Sequence, residues 1–543
     1  MNNAIFNFVE PKNEPVMNYL PGSYERIQLE KELAVQSNKV IDIPLIIGGK
    51  EIRTGKTGNI TKPSDHQHIL ATYHMATEKE VKMAIDAALA AKCEWMSLAW
   101  MERAAIMAKA AELISKKYRF QLNAATMLGQ GKNVFQAEID SACEVTDYLR
   151  FNNYFASMIY MEQPKSESET INRIEYRPLE GFVFTITPFN FTAIASNLNS
   201  SVVLMGNTTV WKPATTSLLS NYYLMKIFEE AGLPAGVMNF IPGSGALISE
   251  VVLKHRELAG LHFTGSNSTF NTIWNQVSGN IHLFRSYPKI VGETGGKDFI
   301  FAHNSTDPQA LATAIIRGSF EYQGQKCSAA SRAYIPHSIW DETRKNILRM
   351  ISEIKTGDVT DFGNFINAVI DESSFDRIMS YIDKAKGSPG IDFIAGGSGD
   401  KSKGYFIEPT IIVTEDPHFV TMEEEIFGPF ITIFVYDDGQ YEETLKLCDE
   451  TSPYGLTGSI FSNDKYAMMK ACRALRYSAG NFYINDKPTG AMVGQQPFGG
   501  ARASGTNDKA GSHLNLLRWV SPRTIKETLI PATDFKYPYM KEI

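Results

Sequence analysis

The chain has 543 residues, of which 43% are hydrophobic and 21% are charged, with a net charge of −7 and an isoelectric point near 5.9. This length predicts roughly three domains. The acidic balance disfavours a protein that binds nucleic acid or a membrane surface, since such proteins show a basic patch.

In chain order, residues 1–60 are polar and punctuated by proline and glycine, which predicts an irregular segment. The start, MNNAIFNFVEPKNEP, lacks the basic and apolar regions of a secretory signal, and no apolar run reaches transmembrane length. Thr77 and Glu80 have the spacing of a capping box before an amphipathic helix. Residues 161–177 are polar and then alternating, which predicts a projecting hairpin.

From residue 181 onward, apolar strand patterns alternate with helical patterns. Residues 181–187 (GFVFTIT) form the first strand, and the rhythm continues through GLHFTG and TFNTIWNQV. A second alternating region runs from about 298 to 480, with a loop-rich stretch at 387–404. This repetition predicts an α/β fold with a parallel, doubly wound sheet.

Cys327 has different surroundings from the cysteines at positions 93, 143, 448 and 472. The five are scattered without CxxC spacing or a Cys/His cluster, which predicts a reducing compartment and no structural metal site. Cys327 lies in EYQGQKCSAASR, at or just after the end of the helix predicted from DPQALATAIIRGSF. Its small and amide neighbours leave room for a substrate and supply backbone donors. A positive neighbour such as Lys326 would favour the nucleophilic thiolate. A cysteine that merely packs is the alternative.

Three more short stretches place polar groups where strands end. Glu293 in VGETGGKD follows an apolar strand, where a partly desolvated carboxylate can act as a base. Asn190 in TITPFNFTA could stabilise an oxyanion or simply cap its own turn. FTGSNST runs from a strand through a Gly-Ser turn into a helix, which presents N–H groups suited to a pyrophosphate, although it is not the GxGxxG fingerprint.

Six motifs, in the order TPFNF, WKPA, FTGS, ETGGK, GQKC and EEIFGPF, resemble the aldehyde dehydrogenase superfamily from about residue 40 onward. FEYQGQKCSAASR, NEPV near the N-terminus, and GNFYINDKPTGAMVGQQPFGGARASGTND are most similar to one branch. That branch oxidises L-glutamate-γ-semialdehyde, which is in equilibrium with 1-pyrroline-5-carboxylate, to L-glutamate in the second step of proline catabolism. The stretch 480–508 is the most specific element, because it lines the aldehyde site in that branch.

The resemblance implies a catalytic role for three residues. Cys327 would attack the aldehyde carbon, and the oxyanion would be held by the Asn190 amide and the Cys327 N–H. After hydride passes to the nicotinamide, Glu293 would activate the water that hydrolyses the thioester.

The resemblance also implies NAD as the cofactor. The residues it assigns to cofactor binding are Thr187, Pro188, Lys212, Gly265, Ser266, Glu425 and Phe427. Many NAD-selective members carry Glu three residues after the lysine of WKPA, whereas this chain has Thr215. That departure leaves use of NADP open, although NAD is usual in this branch.

The residues that match the substrate site of the family are Ser328, Gly490, Ala491, Phe191 and Phe498. Ser328, Gly490 and Ala491 would anchor the substrate carboxylate, although some members have Ser where this chain has Ala491. The two phenylalanines would sandwich the aliphatic chain, with simple core packing as the alternative. Glu144 is a weaker candidate for the substrate's amino group, with a surface acid as the alternative.

The implied fold has three parts. Residues 1–159 and 181–293 would form a Rossmann-like NAD-binding domain, and residues 294–505 an α/β catalytic domain. Residues 160–180 and 506–543 would form a small β-flap for oligomerisation and the C-terminal tail. The implied protein is a cytoplasmic homodimer or larger homo-oligomer that acts on a small molecule, and a proline dehydrogenase that passes substrate to it is a further partner left open.

Three other functions are compatible with parts of the pattern. One is an NAD(P)-dependent dehydrogenase of another semialdehyde or of an aliphatic aldehyde. A cysteine hydrolase or acyltransferase would need a histidine near the thiol, for which the sequence has no local signature. A non-enzymatic scaffold would be indicated by loss of Cys327, Glu293 or Asn190, and all three are present.

Overall fold

The computed structural model describes residues 8–540. The α-helices are α1 (Tyr24–Ser37), α2 (Glu78–Ser97), α3 (Trp100–Glu112), α4 (Arg119–Gln130), α5 (Val134–Ala137), α6 (Val145–Met161), α7 (Thr192–Leu204), α8 (Leu218–Ala231), α9 (Gly245–Val252), α10 (Asn267–Gly279), α11 (Pro308–Phe320), α12 (His337–Glu353), α13 (Glu372–Lys386), α14 (Val420–Glu423), α15 (Tyr441–Glu450), α16 (Lys465–Ala474) and α17 (His513–Leu517). The strands are β1 (Ile41–Ile43), β2 (Leu45–Ile47), β3 (Lys50–Ile52), β4 (Thr57–Lys62), β5 (Asp65–His74), β6 (Thr170–Pro178), β7 (Phe182–Ile186), β8 (Thr209–Lys212), β9 (Met238–Phe240), β10 (Leu258–Thr264), β11 (Lys289–Glu293), β12 (Asp298–Ala302), β13 (Ala330–Pro336), β14 (Ile391–Ala395), β15 (Gly399–Asp400), β16 (Phe406–Ile407), β17 (Thr410–Thr414), β18 (Phe430–Tyr436), β19 (Tyr454–Gly455), β20 (Thr457–Phe461), β21 (Asn481–Ile484), β22 (Ala501–Arg502) and β23 (Val520–Thr528).

A first seven-stranded sheet has the order β11-β10-β7-β8-β9-β2-β3. Its strands from β11 to β9 are parallel, and β2 and β3 extend the edge in antiparallel fashion. Strand β7 shows why the sheet is covered on both faces, since successive side chains of a strand point to opposite sides. Val183 belongs to one apolar core, whereas Phe182 and Phe184 belong to another. The predicted α/β fold with a parallel sheet is confirmed.

A second seven-stranded sheet has the order β14-β17-β18-β13-β12-β20-β21. Its strands are parallel except for β14, which pairs with β17 in antiparallel fashion. Strands β14 and β15 lie inside residues 387–404, and the rest of this stretch is loop, so the prediction of a loop-rich stretch missed two short strands. Glycines lie on both sides of the five residues of β14, and their abundance predicts loops, so the short edge strand between them was not predicted.

The N-terminal region is more regular than its composition predicts. Helix α1 and strands β1 to β3 lie within residues 8–60, so the expectation of an irregular segment is wrong for residues 24–37 and for most of 41–52, and residues 1–7 lie outside the described part of the chain. Helix α1 begins at an N-cap, Ser23, and buries only a narrow stripe that includes Leu29 and Leu33. Because so few positions of α1 are buried, most of its residues are polar, and the composition alone does not indicate a helix. The capping box is confirmed, since Thr77 N donates to Glu80 Oε2 at 3.0 Å.

Strand β6 forms a two-stranded antiparallel ribbon with β23, in register from Thr170 opposite Thr528 to Pro178 opposite Val520. The predicted hairpin is therefore only partly right. Glu167 and Thr170 make a tight turn, but the long ladder joins β6 to the C-terminal strand. Within residues 8–540, no helix is long and apolar enough to cross a membrane.

Candidate active site

Cys327 lies on the connection between α11 and β13, as the sequence predicts. Three successive residues before it adopt left-handed backbone, namely Tyr322 (φ 54°), Gln323 (φ 55°) and Gly324 (φ 64°). A Cβ atom on Gly324 would collide with the carbonyl of Gly428. Only glycine meets both demands at this position, because it tolerates positive φ and has no side chain.

The thiol of Cys327 lies close to several carboxylate side chains. Burial raises the pKa of the thiol well above its ordinary value, and nearby carboxylates raise it further. Those carboxylates belong to Asp298, Glu293 and Glu425. The expected help from Lys326 is not found, because its Nζ pairs with Glu321 Oε2 at 3.0 Å. The thiol is therefore protonated unless a base or a positive charge approaches it.

Glu293 ends strand β11, as predicted, and its carboxyl group is buried. Oε2 has no hydrogen-bond partner within the described part of the chain. Burial raises the pKa of Glu293 well above its ordinary value, against the opposing effects of the Gly500 N–H and the Lys509 ammonium. A carboxylate that has lost its water and retains a free oxygen is suited to general base catalysis.

Asn190 follows β7 and faces the turn that carries the thiol. Its Nδ2 donates to the carbonyl of Gln325, two residues before Cys327, at 3.1 Å. An amide NH₂ has two hydrogens, so one is left for an oxyanion formed at Cys327.

A buried ion pair connects these elements. Lys132 Nζ contacts Asp140 Oδ2 at 2.7 Å, and both side chains have no exposed surface. Asp140 also accepts from the N–H groups of Thr192 and Ala193, at 3.0 and 2.8 Å, and so caps helix α7 directly after Asn190. The Lys132 ammonium also lies over two aromatic rings, those of Phe191 at 3.8 Å and Tyr322 at 4.6 Å.

A cavity of about 300 Å³ opens at Cys327. It brings together the nucleophile and every residue predicted to bind substrate, namely Phe191, Ser328, Gly490, Ala491 and Phe498. The Ser328 hydroxyl is hydrogen-bonded to the Thr489 hydroxyl at 2.8 Å. No histidine is among the described residues that line the cavity, so a cysteine hydrolase has no support here.

Helix α6 and the turn that precedes it contribute acids to this cavity that sequence reasoning undervalued. Glu144 lines the cavity, so the reading of this residue as a surface acid is wrong. Burial, Asp140 and Asp147 raise the pKa of Glu144 to about 8. Asp147 lines the cavity too, and burial raises its pKa to about 6.

Other polar residues of the cavity were not predicted individually, among them Glu321, Lys487, Thr489 and Tyr148. The first three lie in stretches that resemble the family, whereas the sequence around Tyr148 gives no signal for a site. Only the fold shows that they face Cys327.

Part of the predicted cofactor site lies at the carboxyl ends of β8 and β10. Lys212 ends β8, and burial lowers the pKa of its ammonium group to about 8. Its ammonium lies close to Gly245 at the start of α9. Ser266 is the N-cap of α10, whereas the N–H of Gly265 is already bonded to the Glu293 carbonyl at 3.2 Å. A half-buried ammonium beside the N-terminus of α9, together with the N-terminus of α10 at Ser266, fits an anionic dinucleotide.

The remaining predicted cofactor residues lie beside the catalytic groups. Glu425 Oε1 accepts from the Gly296 N–H at 2.9 Å, and burial raises the pKa of Glu425. Phe427 has left-handed backbone, with its ring 5.9 Å from that of Phe189.

Two positions discussed for cofactor binding, Thr187 and Thr215, are occupied by contacts within the chain. Thr187 is buried and its hydroxyl accepts from Trp211 Nε1, so it supports the site through the strand, whereas Pro188, next to it, is half-buried. Thr215 begins a short 3₁₀ turn after β8, beside Tyr73.

In residues 8–540 no group of three or more acidic, His or Cys side chains could hold a metal ion.

The sequence profile described as "Aldehyde dehydrogenase family" matches residues 52–525. The chain is 54% identical over 537 residues to the mitochondrial delta-1-pyrroline-5-carboxylate dehydrogenase of Dictyostelium discoideum, covering 98% of this chain and 96% of that one. It is 47% identical to the human mitochondrial protein of the same name, covering 97% and 94%. The delta-pyrroline-5-carboxylate dehydrogenase of Mycobacterium tuberculosis, in a crystal structure bound with NAD, superposes with a TM-score of 0.96 at 48% identity over both full chains.

The left-handed turn before Cys327 gives a testable prediction. Gly324→Ala should lower the unfolding midpoint and change the rate at which iodoacetamide alkylates Cys327, because the new Cβ collides with Gly428 and a strained residue costs about 1–3 kcal/mol. Differential scanning calorimetry and mass spectrometry measure the two effects. Gly279→Ala is the matched control, since a Cβ there meets no atom within 4 Å. Equal behaviour of the two variants would contradict the assigned strain.

Proposed function

This chain belongs to the aldehyde dehydrogenase family, and on that premise we propose that it oxidises L-glutamate-γ-semialdehyde to L-glutamate with NAD. The semialdehyde is the open form of 1-pyrroline-5-carboxylate, and the reaction is the second step of proline catabolism. The observation that carries the proposal is the cavity, which joins Cys327 to the predicted carboxylate anchor. The names of relatives at 46–54% identity agree with this substrate.

The reaction begins when the Cys327 thiol releases its proton to solvent and the Sγ thiolate adds to the aldehyde carbon. The oxygen then carries a negative charge, which the free hydrogen of Asn190 Nδ2 and the Cys327 N–H stabilise. NAD, when bound, supplies the acceptor for the hydride. The product of that step is a thioester on Cys327.

Glu293 completes the cycle as the general base. Its free Oε2 takes a proton from water, the resulting hydroxide adds to the thioester carbon, and the thiolate leaves as the carboxylate product forms. Because its pKa is raised, the fraction of Glu293 in the basic form grows as pH rises. Hydrolysis of the thioester should therefore accelerate with pH.

The cavity offers complementary charges to an amino acid substrate. The Ser328 hydroxyl and the N–H groups of Gly490 and Ala491 would donate to the substrate carboxylate, since a desolvated carboxylate needs several donors. Glu144 would face the ammonium group from α6. Its pKa of about 8 would fall when a cation binds beside it.

The cofactor contacts would divide between two regions. Lys212 and the helix start at Ser266 would hold the ribose and pyrophosphate, and Glu425 with Phe427 would hold the nicotinamide end. The lysine ammonium would gain the partner it lacks in the chain alone.

We also propose the three-part division of the chain predicted from its sequence. Strands of the first seven-stranded sheet come from within residues 45–293, and those of the second come from within 298–484. The ribbon of β6 and β23 belongs to neither sheet. Each sheet is thus built from its own part of the chain, which supports a cofactor domain, a catalytic domain and a separate flap.

The roles of Cys327 and Glu293 can be separated kinetically. Glu293→Gln should give one rapid equivalent of NADH and then a slow phase that no longer accelerates with pH, because hydride transfer survives while hydrolysis loses its base. Stopped-flow absorbance at the NADH band measures both phases. Cys327→Ala, the control, should give no burst. An equal loss of both phases in Glu293→Gln would contradict its role as the base.

The carboxylate anchor predicts substrate selectivity. A hydrogen bond to a charged group contributes about 1.5–3 kcal/mol, so Ser328→Ala should lower kcat/KM for glutamate-γ-semialdehyde about ten- to a hundredfold. Steady-state assays should show little change with hexanal, which has no carboxylate. Thr489→Val is the matched control, because it also breaks the hydroxyl pair but leaves Ser328 in place. A similar loss on both aldehydes would mean that Ser328 supports Cys327.

The ribbon of β6 and β23 should mediate oligomerisation. Light scattering should give a mass of at least twice the 60.5 kDa of one chain. Ile171, on β6, is 43% exposed in the single chain, so Ile171→Lys should weaken the assembly. A monomeric wild-type protein would rule out the flap's role.

We also propose that the protein is cytoplasmic and that a proline dehydrogenase is its partner. The Dictyostelium and human relatives are named mitochondrial, so cell fractionation must decide the location. The chain also matches 53% of the length of proline utilization A from Bdellovibrio bacteriovorus, with a TM-score of 0.89 at 28% identity. Co-purification with the proline dehydrogenase of the same organism tests the partner.

A further inference from the structure

An extended N-terminal segment lies across the substrate cavity. Residues 13–19, here called the strap, contain neither helix nor strand. Two of its side chains, Glu14 and Val16, line the cavity together with residues from the far end of the chain. The NEPV motif noted in the sequence begins this strap, and the reaction described above gives it no role.

Asn13 uses its amide to connect two walls of the cavity. Its Nδ2 donates to Asp147 Oδ2 on α6 and to the carbonyl of Val493, both at 2.8 Å. Its Oδ1 accepts from Gln495 Nε2, also at 2.8 Å. Val493 and Gln495 lie in residues 490–496, the loop that begins with Gly490 and is here called the anchor loop. Both amide hydrogens and the oxygen are therefore in use, which no other short side chain could reproduce.

The strap itself is fixed by buried charges. The Glu14 carboxylate pairs with Arg119 and Arg150, at 2.6 and 2.7 Å, and the Arg119 side chain is only 2% exposed. Arg119 Nη2 also donates to the Pro15 carbonyl at 2.7 Å, and it forms a buried ion pair with Glu138. Charges this deeply buried must remain paired, so the strap has one position.

The anchor loop depends on contacts of this kind. It has no helix or strand, and its turn is closed by bonds within itself, such as Gln496 N–H to the Met492 carbonyl at 2.9 Å. Gly490 has left-handed backbone (φ 98°) and is exposed. The directions of the Gly490 and Ala491 N–H groups are thus set by where the loop is held, and Asn13 holds it from across the cavity.

We propose that Asn13 is a positioning residue, which holds the anchor loop so that its N–H groups meet the substrate carboxylate. The inference rests on the proposed function, since it presumes that this loop binds the carboxylate. Asn13 makes its hydrogen bonds to α6 and the anchor loop, and within the described residues it makes none to the turn that carries Cys327. Asn13 should therefore affect binding of a charged substrate, and neither the chemical step nor neutral aldehydes.

Steady-state kinetics of the full-length enzyme test the proposal. Asn13→Ala should raise KM for glutamate-γ-semialdehyde about tenfold, with kcat within twofold of wild type and with unchanged kcat/KM for hexanal. Asn18→Ala, which changes an exposed asparagine of the same strap, should match wild type on both aldehydes. Gln495→Ala removes the contact from the loop side and should reproduce the KM effect, even if Asn13→Ala folds poorly.

Three outcomes would overturn the proposal. An unchanged KM in both Asn13→Ala and Gln495→Ala would show that the loop is held by other contacts. Equal losses on both aldehydes would show a general structural role for the strap. A wild-type enzyme with no preference for glutamate-γ-semialdehyde over hexanal would overturn the proposed function as well, whereas the first two outcomes, with the wild-type preference intact, would overturn this proposal alone.

Discussion

A lysine and an aspartate, Lys132 and Asp140, lie fully buried where the catalytic turns meet. Removing one member of such a pair costs about 3–5 kcal/mol, because the other charge is left without compensation. Asp140 caps α7 just after Asn190, and the Lys132 ammonium lies over the ring of Tyr322 in the turn before Cys327. The pair therefore contacts both the start of the helix that follows Asn190 and the turn that precedes Cys327. Charges with no assigned part in the reaction thus help to position the two turns relative to each other.

Burial also sets the protonation states at the site. Cys327, Glu293 and Glu425 all have pKa values raised by loss of water, so burial shifts each group toward its neutral form. A positively charged group that enters the site would reverse this preference, since it stabilises each anion. The nucleophile and the base are thus poised to respond to bound ligands, and Lys326 does not activate the thiol because Glu321 neutralises it.

Substrate selection depends on surfaces that come from distant parts of the chain. The cavity joins the strap near residue 14, acids at the start of α6, the turn at Cys327 and the anchor loop near residue 490. Each piece presents polar groups of a different kind, so an amino acid aldehyde can be matched at both its carboxylate and its ammonium. The anchor loop, which we propose binds the carboxylate, has no helix or strand of its own and is held by its neighbours.

The sequence by itself determined the alternation of strands and helices, the capping box at Thr77, and the placement of Glu293 and Cys327 at the ends of their elements. These follow from patterns within a few residues, where backbone hydrogen bonding and side-chain periodicity act. The catalytic and substrate roles came from ordered motifs that resemble a family. Only the tertiary structure decided that Glu144 faces the cavity, that Lys326 is paired with Glu321, and that Asn13 holds Val493 and Gln495. Those contacts join groups whose local sequence would suit a surface equally well, and they exist because packing of the sheets and helices brings residues as many as 482 positions apart to within hydrogen-bond distance.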